Sequence, residues 1–180
     1  MGNTLGIRTA TLADAAAIAA IYAHYVEHGV ITFEVDPPSP REIAARIGHI
    51  LPHHPYLVAE DDGRLVGYAY AAPLYERAAY RWVAEATVYV AHDRHRRGTG
   101  GALYRRLIDT LRALGFQAVV GKITLPNPAS VRLHERFGFH QCGQFAKSGF
   151  KQGGWHDVGL YQLDFGERPA VPDEPRSFSG

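Results

Sequence analysis

Val88-Tyr89-Val90-Ala91-His92-Asp93-Arg94-His95-Arg96-Arg97-Gly98-Thr99-Gly100-Gly101-Ala102-Leu103-Tyr104 reads as a β-branched strand, a basic glycine-rich turn and the start of an amphipathic helix. Glycines at 98, 100 and 101 let the backbone turn tightly and place no side chain in a ligand's path. The first-turn N–H groups of the following helix carry partial positive charge, so the junction suits a phosphate or pyrophosphate. Arg94, Arg96 and Arg97 add full charges beside it. A plain structural turn would account for the same glycines.

The spacing sorts the possible phosphate ligands. A Walker A loop requires Gly-Lys-Ser/Thr after four residues, which is missing here. A dinucleotide fingerprint requires a third glycine where Leu103 stands, and a place on the first βα unit. The pattern x-x-x-Gly-x-Gly directly after a strand resembles motif A of the GCN5-related N-acetyltransferases (GNAT), whose amides hold the pyrophosphate of coenzyme A. His95 occupies a slot where that motif usually has Gln or Arg. Leu125-Pro126-Asn127-Pro128-Ala129-Ser130-Val131-Arg132-Leu133-His134-Glu135-Arg136-Phe137-Gly138-Phe139 resembles motif B of the same family. Local chemistry agrees: Asn127 suits an N-cap, Pro128 a first helical residue, and Gly138 a helix end.

The stretches from Ala79 to Val90 and from Gly149 to Gly159, with Thr32-Phe33 and Asp36-Pro37, resemble the phosphinothricin and methionine sulfoximine branch of that family. The similarity runs from about Ile7 to Phe165. It implies an α/β (α+β) fold with a mixed, mostly antiparallel central sheet flanked by helices. An acetyl-CoA cleft would lie between two splayed strands, and the activity would be N-acetylation of a small amino acid or analogue. It also implies a homodimer.

Composition sets the outer bounds. A chain of 180 residues suits one domain, expected over 1–165. Residues 166–180 hold three prolines with no periodicity and are expected to form a disordered tail. A net charge of +1 argues against broad nucleic-acid binding. Cys142, the one cysteine, excludes an intramolecular disulfide and a cysteine-based zinc site. Neither a signal segment nor a membrane-length apolar run is visible, so a cytoplasmic, membrane-free protein is expected. The ten histidines show no zinc-like grouping with carboxylates, so no metal site is expected.

Along the chain, the pattern predicts a strand at Ile7–Ala10 and a helix opening at Thr11 with Ile18, Ile21, Tyr22, Tyr25 and Val26 on one face. A second helix opens at Ser39-Pro40. The runs 56–60 and 65–70 flank Asp61-Asp62-Gly63 as a hairpin. A strand over 82–90, a helix presenting Leu103, Leu107, Leu111 and Leu114, and strands over 116–123 and 156–165 follow.

Acetyl transfer to an amine requires a base, an oxyanion donor and a proton for the leaving thiolate. Glu85 lies between apolar Ala84 and Ala86 just before the glycine loop. By resemblance it is the catalytic carboxylate, and otherwise a solvated strand glutamate or an ion-pair partner. His134, one turn after Ser130, occupies the motif B slot for the group that protonates the CoA thiolate. On position alone an exposed or packed helix histidine is the stronger reading, and the motif context turns it towards catalysis or CoA contact. For the cofactor, the resemblance nominates the backbone of Val88, Tyr89 and Val90, the loop residues His95, Arg96, Arg97, Gly98, Thr99, Gly100 and Gly101, and Asn127 with Ser130. The amide of Tyr89 or Val90 is the expected oxyanion donor. Arg77 and Tyr80 are nominated for a substrate carboxylate or phosphinate, with a surface arginine as the alternative. Phe33 is nominated as an apolar wall or a core residue.

Overall fold

The strand that precedes the glycine turn becomes the centre of the molecule. The computed structural model describes residues 5–95 and 97–179. Among the described residues the elements are, in chain order, β1 (Gly6–Thr9), α1 (Ala15–His28), α2 (Pro40–Ile50), β2 (Tyr56–Asp61), β3 (Arg64–Pro73), β4 (Val83–Val90), α3 (Thr99–Leu114), β5 (Ala118–Leu125), α4 (Pro128–Arg136), β6 (His140–Lys151) and β7 (Gly154–Asp164). The seven strands form one sheet in the order β1-β2-β3-β4-β5-β7-β6. Of the paired strands described, β4 and β5 run parallel and the other pairs antiparallel. The mixed, mostly antiparallel α/β architecture is as expected.

Local chemistry explains most element ends. Ser39 and Glu42 form a reciprocal capping box around Pro40 at the start of α2. Asn127 accepts from the Ser130 amide at 3.1 Å to cap α4. Asp62 and Gly63 turn the β2–β3 hairpin with φ of 51° and 72°, the primed geometry that fits strand twist. The helix expected at Thr11 begins with a 3-10 turn, Leu12–Asp14, before α1. There Arg8 holds the Asp14 carboxylate at 2.7 Å and depresses its pKa to about 2.

Alternation in β4 divides the core into two layers. Ala84, Ala86 and Val88 face the cluster containing Leu103, Tyr104, Leu107, Leu111, Val119 and Ile123, beneath α3 and α4. Tyr89 faces the other layer, where α1 and α2 pack Ile18, Tyr22, Val26, Ile43 and Ile47 against Tyr56, Val58 and Tyr68. By the same period of two, Glu85 and Thr87 face the α1–α2 layer.

Residues 166–179, expected to be disordered, form no helix or strand but make defined contacts. The Arg176 amide donates to Leu114 O at 2.8 Å, Trp82 Nε1 donates to Asp173 O at 2.8 Å, and Glu174 pairs with Arg81 at 3.1 Å. These bonds satisfy a carbonyl in the last turn of α3 and fasten the segment beside the start of β4.

Leu107 is fully buried beneath the sheet. Leu107→Ala is expected to destabilise the fold by about 2–5 kcal/mol, read as a lowered midpoint in denaturant unfolding.

Candidate active site

The β4–β5 ladder has three rungs, Val83↔Ala118, Ala84↔Val119 and Glu85↔Val120. β4 continues to Val90 against β3, while β5 continues to Leu125 against β7, so the two strands part immediately after Glu85. The Ala91 amide donates to Val66 O at 2.9 Å. Antiparallel alternation then directs the backbone groups of 85, 87 and 89 towards β3, and those of 86, 88 and 90 into the gap. Val88 and Val90 therefore present backbone groups to the opening. The Tyr89 amide belongs to the β3 ladder, whereas the Val90 amide faces the opening.

The glycine loop closes one end of this gap. Gly98 adopts φ 84°, and α3 starts directly after it with no acidic residue in its first turn. The Ala102 amide donates back to Gly98 O at 2.9 Å, so the amides of Thr99, Gly100 and Gly101 precede the first helical bond. A Cβ at Gly100 would meet Val90 Cγ2 at 3.4 Å, which places the start of α3 in van der Waals reach of the end of β4. Arg97 is exposed; Arg96 lies outside the described residues.

The remaining loop charges serve the scaffold. Arg94 pairs with Asp61 at 2.6 Å and Asp93 with Arg64 at 2.7 Å, two reciprocal links from the β2–β3 hairpin to the loop. Arg94 thus spends its charge within the protein. The Tyr25 hydroxyl donates to Val90 O and stands 2.7 Å from His95 Nε2. A phenol has one proton, so the imidazole is the donor in the second bond. His95 and the Val90 carbonyl are both tied to α1.

Glu85 and His134 occupy opposite faces of the sheet. The Glu85 carboxylate is one-quarter exposed and lies 2.6 Å from Lys122 Nζ on β5. No local pattern marks Lys122; its place beside Glu85 follows from the parallel register of β4 and β5. His134 is 4% exposed and packs among Tyr104, Phe139 and Tyr161. Its Nδ1 lies 2.8 Å from Ser130 O and its Nε2 2.8 Å from the Tyr104 hydroxyl. A carbonyl only accepts, so Nδ1 carries the proton and Nε2 accepts from Tyr104. Burial lowers the His134 pKa, and burial followed by the Glu85 charge raises that of Tyr104. Of the two readings of His134, the packed histidine describes its position: both ring nitrogens are engaged by protein groups. The Tyr104 hydroxyl, absent from the sequence reading because it falls in an apolar helix stripe, is its partner.

Three further candidates lie on the Glu85 side or at its edge. Arg77 and Tyr80 line a cavity of about 460 Å³ with Tyr75 and Glu76, and Tyr75 packs edge-on to Tyr80 at 4.8 Å. Phe33 is 37% exposed and lies against Gly149, where an added Cβ would come within 2.2 Å of the ring. Lys151 fixes that loop by donating to Thr32 O at 2.9 Å. Asp157 accepts from the Lys147 amide at 2.7 Å and so holds the irregular turn of β6, while Trp155 is exposed and packs on Phe150. Cys142 is exposed. Among the described residues, no group of three His, Cys, Asp or Glu side chains is arranged to hold a metal ion, and no helix is long and apolar enough to cross a membrane.

The family model of the acetyltransferase (GNAT) domain matches residues 7–160. The chain belongs to the GNAT acetyltransferase family. It is 46% identical to the phosphinothricin N-acetyltransferase of Streptomyces viridochromogenes over 92% of this chain and 90% of that protein. It is 36% identical to the L-methionine sulfoximine/L-methionine sulfone acetyltransferase of Salmonella typhimurium, over 93% and 98%. The crystal structure of a GNAT phosphinothricin acetyltransferase from Sinorhizobium meliloti in complex with acetyl-CoA superposes with a TM-score of 0.90. It is 38% identical, with 95% of this chain and 94% of that one covered.

The buried histidines give a pH prediction. Burial holds His134 below the ordinary imidazole value of 6.5 and His54, tilted against the Phe116 ring, at about 4. Below 6.5 the unfolded chain binds protons that the folded chain refuses, so these groups' contribution is full above about 6.5 and is lost as pH falls towards 4. Denaturant midpoints across that range are expected to drop on the acid side, less steeply in His54→Phe. His134→Ala, which leaves a cavity and strips Tyr104 of its acceptor, is expected to lower stability by about 2–4 kcal/mol in the same measurement.

Proposed function

We propose that this protein transfers an acetyl group from acetyl-CoA to the α-amine of a small amino acid or analogue, with phosphinothricin and methionine sulfoximine as leading acceptors. The observation that carries this reading is the opening beside Glu85. There one edge of β4 has backbone donors and acceptors but no partner strand, between a carboxylate and a glycine-built helix N-terminus. An amide-bearing arm such as pantetheine suits an unpaired strand edge, and a pyrophosphate suits the helix N-terminus beyond it. The relatives' substrates point to the same chemistry.

In this reading Val88, Val90 and the amides of 99–101 hold acetyl-CoA, with His95, Arg97, Gly98, Asn127 and Ser130 shaping that side. The cofactor supplies an activated acetyl thioester. Glu85 takes one proton from the acceptor ammonium, directly or through a water. The freed amine attacks the thioester carbonyl carbon; an N–C bond forms as the C–S bond breaks, and the Val90 amide faces the developing oxyanion. The amine's second proton is lost, the departing thiolate takes up one proton, and one proton is released overall. His134 contributes through Tyr104, holding that hydroxyl's direction rather than meeting the thiolate itself. Arg77 and Tyr80 receive the acceptor's anionic end, and Phe33 walls its methylenes. A homodimer, implied by the family resemblance, and a cytoplasmic location belong to the same reading.

Thiol release from acetyl-CoA across phosphinothricin, methionine sulfoximine, methionine sulfone, ordinary amino acids, spermidine and a peptide N-terminus tests the claim. Fast release with the first three acceptors and little with spermidine or peptide is the expected result, and the reverse order would sink the acceptor assignment. Glu85→Gln is expected to lower kcat by about 10²–10⁴-fold while acetyl-CoA binding, followed by calorimetry, is retained.

A further inference from the structure

Lys122 has no part in the mechanism above, yet it is the cation nearest the proposed base. It lies on β5 two residues beyond the last β4–β5 rung, on the sheet face that carries Glu85. Its Nζ stands 2.6 Å from Glu85 Oε2 and 5.6 Å from the Tyr75 ring centre. Tyr75 in turn lines the cavity that holds Arg77 and Tyr80. Lysine and carboxylate are one-third and one-quarter exposed, so the pair is open to exchange with a charged ligand.

This geometry sets a condition on the acceptor. An incoming ammonium meets a carboxylate that already holds a cation, and two cations sharing one carboxylate repel each other. We propose that Lys122 is a specificity-determining residue that selects acceptors carrying an anionic group beside the amine. On binding, the ion pair exchanges partners. The substrate's ammonium takes the place of Lys122 at Glu85, and the lysine swings on its flexible stem to the substrate's anion on the Tyr75 side. A zwitterionic amino acid leaves two matched pairs. An amine without an anion leaves Lys122 displaced and unmatched, which disfavours polyamines and amino-acid amides. The inference rests on the reading of Glu85 as the base and adds the acceptor class that the base accommodates.

The test compares the fastest amino-acid acceptor from the panel with its own carboxamide, which keeps the amine and side chain but lacks the carboxylate. For the wild type, kcat/KM is expected to favour the acid. Lys122→Met is expected to lower the acid-to-amide ratio by about 10- to 100-fold, through a higher KM for the acid and a raised kcat/KM for the amide. Lys122→Arg is expected to restore most of the preference. Equal losses on acid and amide would make Lys122 a mere prop for Glu85 and overturn the proposal, as would an unchanged ratio. Glu85→Gln, assayed alongside, separates the two failures. Full activity in that variant removes the base itself, whereas its inactivity together with an unchanged ratio in Lys122→Met removes the lysine's role alone.

Discussion

Beyond Glu85 and Val120 two parallel strands stop bonding to each other, and residues 86–90 of β4 keep one side whose backbone groups have no neighbouring strand. Unpaired backbone N–H and C=O groups require water or a ligand. Much of the rest answers to this break. Tyr25 reaches from α1 to take the Val90 carbonyl, and the glycine turn swings α3 away so that its N-terminus faces the opening. The paired bridges Arg64–Asp93 and Arg94–Asp61 keep that turn in register with the hairpin next to it. The hydrophobic layers on either side supply the stability that lets a sheet carry such a gap in its middle.

The gap also separates two kinds of polar chemistry. On the α1–α2 face the charged pair Glu85–Lys122 is partly exposed and open to exchange. On the α3–α4 face Tyr104, His134 and the Ser130 carbonyl form a buried chain of neutral hydrogen bonds with no slack in it. The first arrangement suits proton transfer with an incoming ligand. The second suits rigidity, since each member would leave a buried polar group unsatisfied if it moved. Gly121 follows the last rung of the ladder and leaves the room that the His134 ring fills.

Six strands of the sheet, the helices and the glycine loop were legible because each depends on local signals: a period of two in β4, leucines at helical spacing in α3, a capping box at Ser39, Asn127 before Pro128; β6, mostly exposed along its length, carries no such signal. The strand that carries Glu85 and the loop were legible for the same reason, strengthened by two motifs in order. What lay hidden depends on contacts between distant segments. Lys122 reads as one charge in an apolar strand until parallel pairing sets it beside Glu85. Tyr104 reads as a core residue until His134 meets it. Arg94 reads as a free cation until Asp61, 33 positions away, claims it. His134 stood in the right slot for chemistry, but its burial is a tertiary fact that helix position does not encode. The proline-rich C-terminal segment lacks periodicity, and its bonds to Leu114, Trp82 and Arg81 are likewise invisible in composition.

That segment gives the molecule a mechanical polarity. Asp173 and Glu174 are fastened to Trp82 and Arg81, one to five residues beyond Arg77 and Tyr80 on the loop between β3 and β4. Tension applied through the C-terminal end meets the end of α3 at Leu114 and then the loop that carries the Arg77–Tyr80 cavity before it reaches any strand. Tension at the N-terminal end meets β1, the outer strand on the far side of β2 and β3. For tethering to a bead or surface the two ends are therefore unequal handles: one pulls on the scaffold, the other on the doorway.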